Sequence, residues 1–162
     1  GPARRRGRRA AGRRVDAWVR SRSERIAPPR TGALVARGAT HDLQEVLERL
    51  NAERFGGAVD ARIGWGRPVS GRARRSIRTG VYLHHARAIR IHPALDRPEV
   101  PSFYVEAVVF HEMLHQVVPP DERGGRRSLH GREFRRRERE YPGYLAAKRW
   151  EEENLGLLLA GR

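Results

Sequence analysis

The sequence predicts an α+β domain, a short antiparallel-containing sheet of about three strands packed with helices. Two observations carry this expectation. Apolar residues recur at helical spacing before residue 55 and after residue 101, and at period two between them. The stretch His111-Glu112-Met113-Leu114-His115 sits among Val105, Val108 and Val109, which places an HExxH pattern on a helix.

Residues 1–14 hold Arg4, Arg5, Arg6, Arg8, Arg9, Arg13 and Arg14 and no apolar anchor, so they read as a disordered basic arm. Residues 15–162 read as a single domain. Val15, Trp18, Val19 and Ile26 predict a short helix that Pro28-Pro29 ends. Asp42-x-x-Glu45 is a capping box, and Leu43, Val46, Leu47 and Leu50 form the apolar face of the helix it opens. Gly56-Gly57 stops that helix.

Ala61, Ile63 and Trp65 then alternate with Arg62 and Gly64. Val81 and Leu83 alternate with Tyr82 and His84, and Ile89 and Ile91 with Arg90 and His92. Three short strands are expected, paired antiparallel. After Pro98 and Pro101 a helix is predicted over 102–117, closed by Pro119-Pro120. A polar loop with Gly124-Gly125 follows. Further helices are predicted over 129–141, with Ser128 as N-cap, and over 143–159.

The chain carries 34 Lys and Arg against 19 Asp and Glu, a net charge of +15. Such a balance points to a polyanionic partner. Only Lys148 is lysine, and so strong an arginine bias also follows from a GC-rich genome. Candidate nucleic-acid contacts are the arm, the loop residues Arg67, Arg72, Arg74, Arg75 and Arg78, and Arg135 and Arg136 in the run from Arg132 to Arg139. Glu133, Glu138 and Glu140 interleave that run, so a salt-bridged solvated face explains it equally well. Trp18, Trp65 and Trp150 are of a type that stacks on bases, but their apolar neighbours favour the core.

No cysteine is present, which excludes disulfides, a cysteine zinc ribbon and thiol chemistry. No run approaches the roughly 20 apolar residues of a membrane helix, and no signal peptide is legible. The expectation is a cytoplasmic protein, nucleoid-associated if bacterial, with no membrane partner.

The chemistry lies in HExxH. Residues i and i+4 share a helix face, so His111 and His115 aim at one point and can bind Zn²⁺. Glu112 is placed to take a proton from water at the metal. With seven His in the chain, such a match arises by chance on the order of 0.03 times. A catalytic zinc needs a third protein ligand and one open position. His41, His84, His85 and His92 lie upstream. Asp121 occupies the third-ligand place of HExxHxxGxxH, but that pattern needs Gly where Val118 stands. Glu133, Glu138 and Glu140 are the carboxylate alternatives. His130 is favoured, because Gly131 beside it permits close backbone approach.

These residues resemble the SprT-like family of zinc metallopeptidases. His130-Gly131-Arg132-Glu133-Phe134 is similar to the family's HGxxF segment. Leu50-Asn51 with Phe55-Gly56-Gly57, Ile63-Gly64-Trp65 with Arg67, Gly80-Val81-Tyr82 and Ile89-Arg90-Ile91 are similar to the segments that precede its active-site helix. The resemblance covers about residues 42–141. It implies a small zincin-like metalloprotease fold, with one catalytic zinc on His111, His115 and His130 and with Glu112 as general base and acid. It implies a protein substrate bound or crosslinked to DNA, and a DNA partner that is single-stranded or junction-containing. The family's cysteine-rich ribbon has no counterpart here. Tyr82, Tyr141 and Tyr144 are candidates by type for stabilising the transition state. Two rivals remain: a cytosolic HExxH protease specific for one regulator, indifferent to DNA, and a nucleic-acid-binding module with a non-catalytic zinc site.

Overall fold

Asp42 opens the first helix of the computed structural model, which describes residues 33–68, 76–123 and 125–160. Its carboxylate accepts the N–H groups of Gln44 at 2.9 Å and Glu45 at 3.4 Å, two donors that no helical carbonyl reaches. The helix, α1, spans Leu43–Arg54 and buries Leu43, Leu47 and Leu50. It ends where Phe55 and Gly57 both donate to the Asn51 carbonyl. Gly56 and Gly57 have φ of 57° and 79° there, a left-handed close that glycine adopts without a Cβ clash.

Three strands follow: β1 (Arg62–Trp65), β2 (Gly80–Leu83) and β3 (Ala88–Ile91). Their order is β1-β3-β2. β2 and β3 form an antiparallel pair, with Tyr82 opposite Ile89. β1 runs parallel to β3, with Ile63 opposite Ile89. The sheet is therefore mixed, which corrects the antiparallel expectation for β1. The chain from 66 to 79 is long enough for the crossover a parallel pair requires, and alternation within a strand carries no information about its partner's direction. β3 takes the centre, where Ala88, Ile89 and Ile91 are fully buried.

The face of β2 is also opposite to the one its apolar residues suggested. Gly80 and Tyr82 are buried, while Val81 and Leu83 are half-buried. Period two fixes all four together, and Gly80 is the residue that must face inward, as the site below shows.

Helix α2 (Ser102–Val117) runs through the middle and packs on α1, on β2 and β3, and on two later helices. Its buried residues include Tyr104, Val105, Val108, Val109, Met113 and Leu114. Next come β4 (Asp121–Arg123) and β5 (Arg126–Ser128), an antiparallel hairpin with Asp121 opposite Ser128. A polar loop was expected here. No apolar alternation marks these strands, because β5 is wholly exposed.

Helix α3 spans Arg132–Glu140 with Gly131 as N-cap. The expected start at 129 and the Ser128 cap are thereby corrected, since Ser128 belongs to the hairpin. Phe134 is its one buried residue. Helix α4 spans Tyr144–Ala160 and is interrupted at Asn154, whose side chain donates to the Trp150 carbonyl at 2.8 Å. Trp150 packs on Tyr104 with ring centroids 4.5 Å apart, and Trp65 lies against the core.

Leu34–Arg162 forms one compact unit. The expected arm over 1–14, the helix over 15–26 with Trp18, and the loop arginines Arg72, Arg74 and Arg75 lie outside the described residues. Among the described residues, no helix is long and apolar enough to cross a membrane.

Candidate metal centre

One helical turn separates His111 from His115, so both rings leave α2 on one side. The β4–β5 hairpin turns the chain back after α2 and delivers His130 to the same place, just ahead of α3. Nε2 of His130 lies 3.2 Å from Nε2 of His111 and 3.1 Å from Nε2 of His115. Neighbouring ligands around a tetrahedral ion with bonds of 2.0–2.1 Å stand about 3.3 Å apart. Two of the three spacings match that figure, and all three ligand nitrogens lie within 4.8 Å of one another, close enough to hold one metal ion. Among the described residues this is the cluster of His, Cys, Asp or Glu placed to hold one.

The electrostatics agree. Burial, with the neighbouring His111, His130, His84 and Arg78, pushes His115 down to about 4. Burial and His111 hold His130 below its ordinary value, with Glu138 opposing. Both rings therefore stay neutral near pH 7 and keep a lone pair free, the form a metal requires.

Phe134 packs edge-on or tilted against all three rings, with centroids 5.0, 4.6 and 4.8 Å from His111, His115 and His130. Its ring is buried and walls the centre off from the core. Gly131 has no room for a side chain, because a Cβ would stand 2.4 Å from Asp121 Cβ. This contact is how the hairpin and the start of α3 close on each other behind His130.

The carboxylate alternatives lie elsewhere. Asp121 packs on Gly131. Glu133 pairs with Arg136 at 2.7 Å and Arg137 at 3.4 Å, and Glu140 pairs with Arg136 at 2.6 Å. Glu138 reaches the site from behind: its Oε1 accepts the Nδ1 proton of His111 at 2.6 Å. Burial raises its pKa, but the bond from His111 and the charges of His111 and Lys148 outweigh that and hold it low. Of the upstream histidines, His41 bonds the Val100 carbonyl and His92 caps a turn at Ala94. His84 lies exposed on the rim of the cleft.

Glu112 packs under β2, in the cavity that the three histidines also line. It is 5% exposed, and a Cβ on Gly80 would stand 2.8 Å from its Oε1. Burial raises its pKa above the ordinary carboxylate value, against the charges of His111 and Arg78 and the N–H of Tyr82. Glu112, the three histidines, Glu138, Arg78 and residues 77–82 of the β2 strand and its approach line one cavity of about 300 Å³.

The remaining candidates scatter. Arg67 is exposed beyond β1. Arg135 and Arg136 are exposed on α3, where Arg132, Arg135, Arg136 and Arg139 line a shallow groove with Asp121 and Glu140. In the sequence Glu138 is legible as a carboxylate ligand or as part of a salt-bridged face, not as the partner of His111. Its signal was present: His130, Phe134 and Glu138 recur every four residues, one face of a helix and its approach. No family model, curated protein or solved structure matches the chain.

Proposed function

We propose that the chain is a zinc-dependent endopeptidase of the SprT-like, zincin-like kind, acting on proteins bound or crosslinked to DNA. The observation that carries the peptidase reading is the buried Glu112 carboxylate beside three convergent imidazoles in one cavity. A purely structural site has no use for such a base. Zinc is the ion that suits three imidazole ligands. Bound there, it would supply Lewis acidity to the scissile carbonyl and lower the pKa of the attacking water.

The protein's own groups do the rest. Glu112 takes one proton as the water oxygen bonds to the carbonyl carbon, and the carbonyl π pair moves onto oxygen. That pair returns as the C–N bond breaks, and Glu112 gives its proton to the departing nitrogen. The raised pKa of Glu112 suits a group that must both take and give. β2 is an edge strand in the order β1-β3-β2 and borders the cavity. An extended substrate pairing with that edge would be held through its main chain, with little demand on side chains.

The DNA part of the proposal rests on the net charge of +15, on the exposed arginine groove of α3 and on the resemblance of residues 42–141. The experiment is cleavage of a DNA-binding protein with and without single-stranded DNA, with Glu112→Gln as control. Stimulation by DNA that vanishes in the variant is the expected result. Cleavage indifferent to DNA would keep the peptidase and remove the DNA partner.

A further inference from the structure

We propose that Arg78 is a catalytic residue, the cation that stabilises the oxyanion formed when water adds to the scissile carbonyl. This inference rests on the peptidase reading.

The position follows from the strand. Pairing with β3 continues one residue before β2, because the His92 N–H donates to the Thr79 carbonyl at 2.8 Å. Alternation along an extended chain then puts Arg78, Gly80 and Tyr82 on one face. Gly80 on that face abuts Glu112, and Tyr82 lines the cavity. Arg78 lines it too, beside His111, Glu112, His115 and His130. The side chain is exposed, and among the described residues no carboxylate pairs with it. Its charge acts on Glu112, His115 and His130 together.

The tyrosines suggested by type fit the role less well. Apart from burial, the Tyr82 hydroxyl answers to Arg87 and Asp60. The Tyr141 ring stacks on Phe110 at 4.5 Å, and its hydroxyl answers to Glu106 and Arg49. Tyr141 and Tyr144 both line the cavity, but a phenol hydroxyl offers one donor where a guanidinium offers a fork of several and a fixed charge. Glu112 moves the proton and cannot also neutralise the new negative oxygen. A guanidinium presents two parallel N–H donors to such an oxygen, and its contribution grows as charge develops.

The test uses the zinc-loaded full chain, a cleavable peptide and a phosphinic peptide of the same sequence, whose tetrahedral anion mimics the adduct. Arg78→Ala is expected to lower kcat by about 10²–10³ with KM changed less than about threefold. The phosphinic peptide should weaken by a similar factor, and Arg78→Lys should recover about tenfold of each loss. Zinc content should not change. Unchanged kcat, a loss confined to KM, or equal phosphinate affinity in wild type and Arg78→Ala would each overturn the assignment. The phosphinate comparison needs no turnover. A wild-type chain that never cleaves therefore removes the peptidase reading, whereas equal phosphinate affinity removes Arg78.

Discussion

Glu138 Oε1 stands 2.6 Å from Nδ1 of His111, a residue 27 positions earlier in the chain. The bond fixes the proton on Nδ1 and leaves Nε2 of His111 facing His130. It also holds the ring at one angle, so the nitrogen is aimed before an ion arrives. Carboxylate partners of this kind contribute about 10–100-fold to metal affinity. Glu138→Gln is expected to lower zinc affinity by about that factor, read by competition with a chelator, with an unchanged far-ultraviolet circular dichroism spectrum. Unaltered affinity would make the contact incidental.

His130 and Asp121 divide the third-ligand question. His130→Ala is expected to lose stoichiometric zinc, because two imidazoles remain of three. Asp121→Ala is expected to keep it, since the three groups that converge are His111, His115 and His130. Metal analysis of the two purified variants decides, and the reverse pattern would move the ligand to the hairpin.

Glu112→Gln removes the base while keeping the shape of the side chain. Zinc content should match the wild type and cleavage should fall to background, a loss of at least about 10²–10⁴ in rate. Full activity in this variant would sink the mechanism.

Gly80 is where the sheet meets the base. The Cβ of Gly80→Ala would stand 2.8 Å from Glu112 Oε1 and 2.9 Å from its Cγ, so the carboxylate must move. Displacement of about 1 Å at a reacting group costs on the order of 10²-fold. The expected result is a large fall in kcat with zinc retained, the same signature as Glu112→Gln but milder. A variant as active as wild type would show that Glu112 has slack.

Asp96 supplies a pH dependence away from the metal. Its carboxylate accepts three backbone N–H groups, from Ala39 at 2.6 Å, Thr40 at 2.8 Å and His41 at 3.1 Å. Burial pushes its pKa up, but the three bonds outweigh burial and hold it below the ordinary value. A depressed pKa means the stabilisation is complete above the unfolded value of about 3.9 and is lost as pH falls through the folded one. Asp96→Asn should therefore cost about 1–3 kcal/mol at pH 7 and less at a pH below the unfolded value of about 3.9. Urea unfolding at the two values measures the difference, and an equal loss at both would assign the effect to packing.

Much of this was legible because it is local. The Asp42 cap, the Gly56-Gly57 stop and α2 at 102–117 each depend on residues within one or two turns. The pairing of His111 with His115 is equally local, being one turn of one helix. His130 was favoured from the glycine beside it, and the hairpin that delivers it was not foreseen. That hairpin has no apolar face to report, since β5 is exposed throughout. The direction of β1 and the face of β2 were misread for a related reason. Both depend on partners far along the chain, Ile89 for β1 and Glu112 for β2.

The sequence by itself determined that a helix presents two imidazoles and a carboxylate one residue apart, since helical geometry requires nothing further. Only the tertiary structure decided which third histidine converges with them, which carboxylate steadies His111 and which of the described candidate arginines lines the cleft. Those choices rest on close approaches between residues 15 to 27 positions apart and on one glycine that leaves room for Glu112. Contacts of that kind are fixed by packing, and packing has no period to read in the chain.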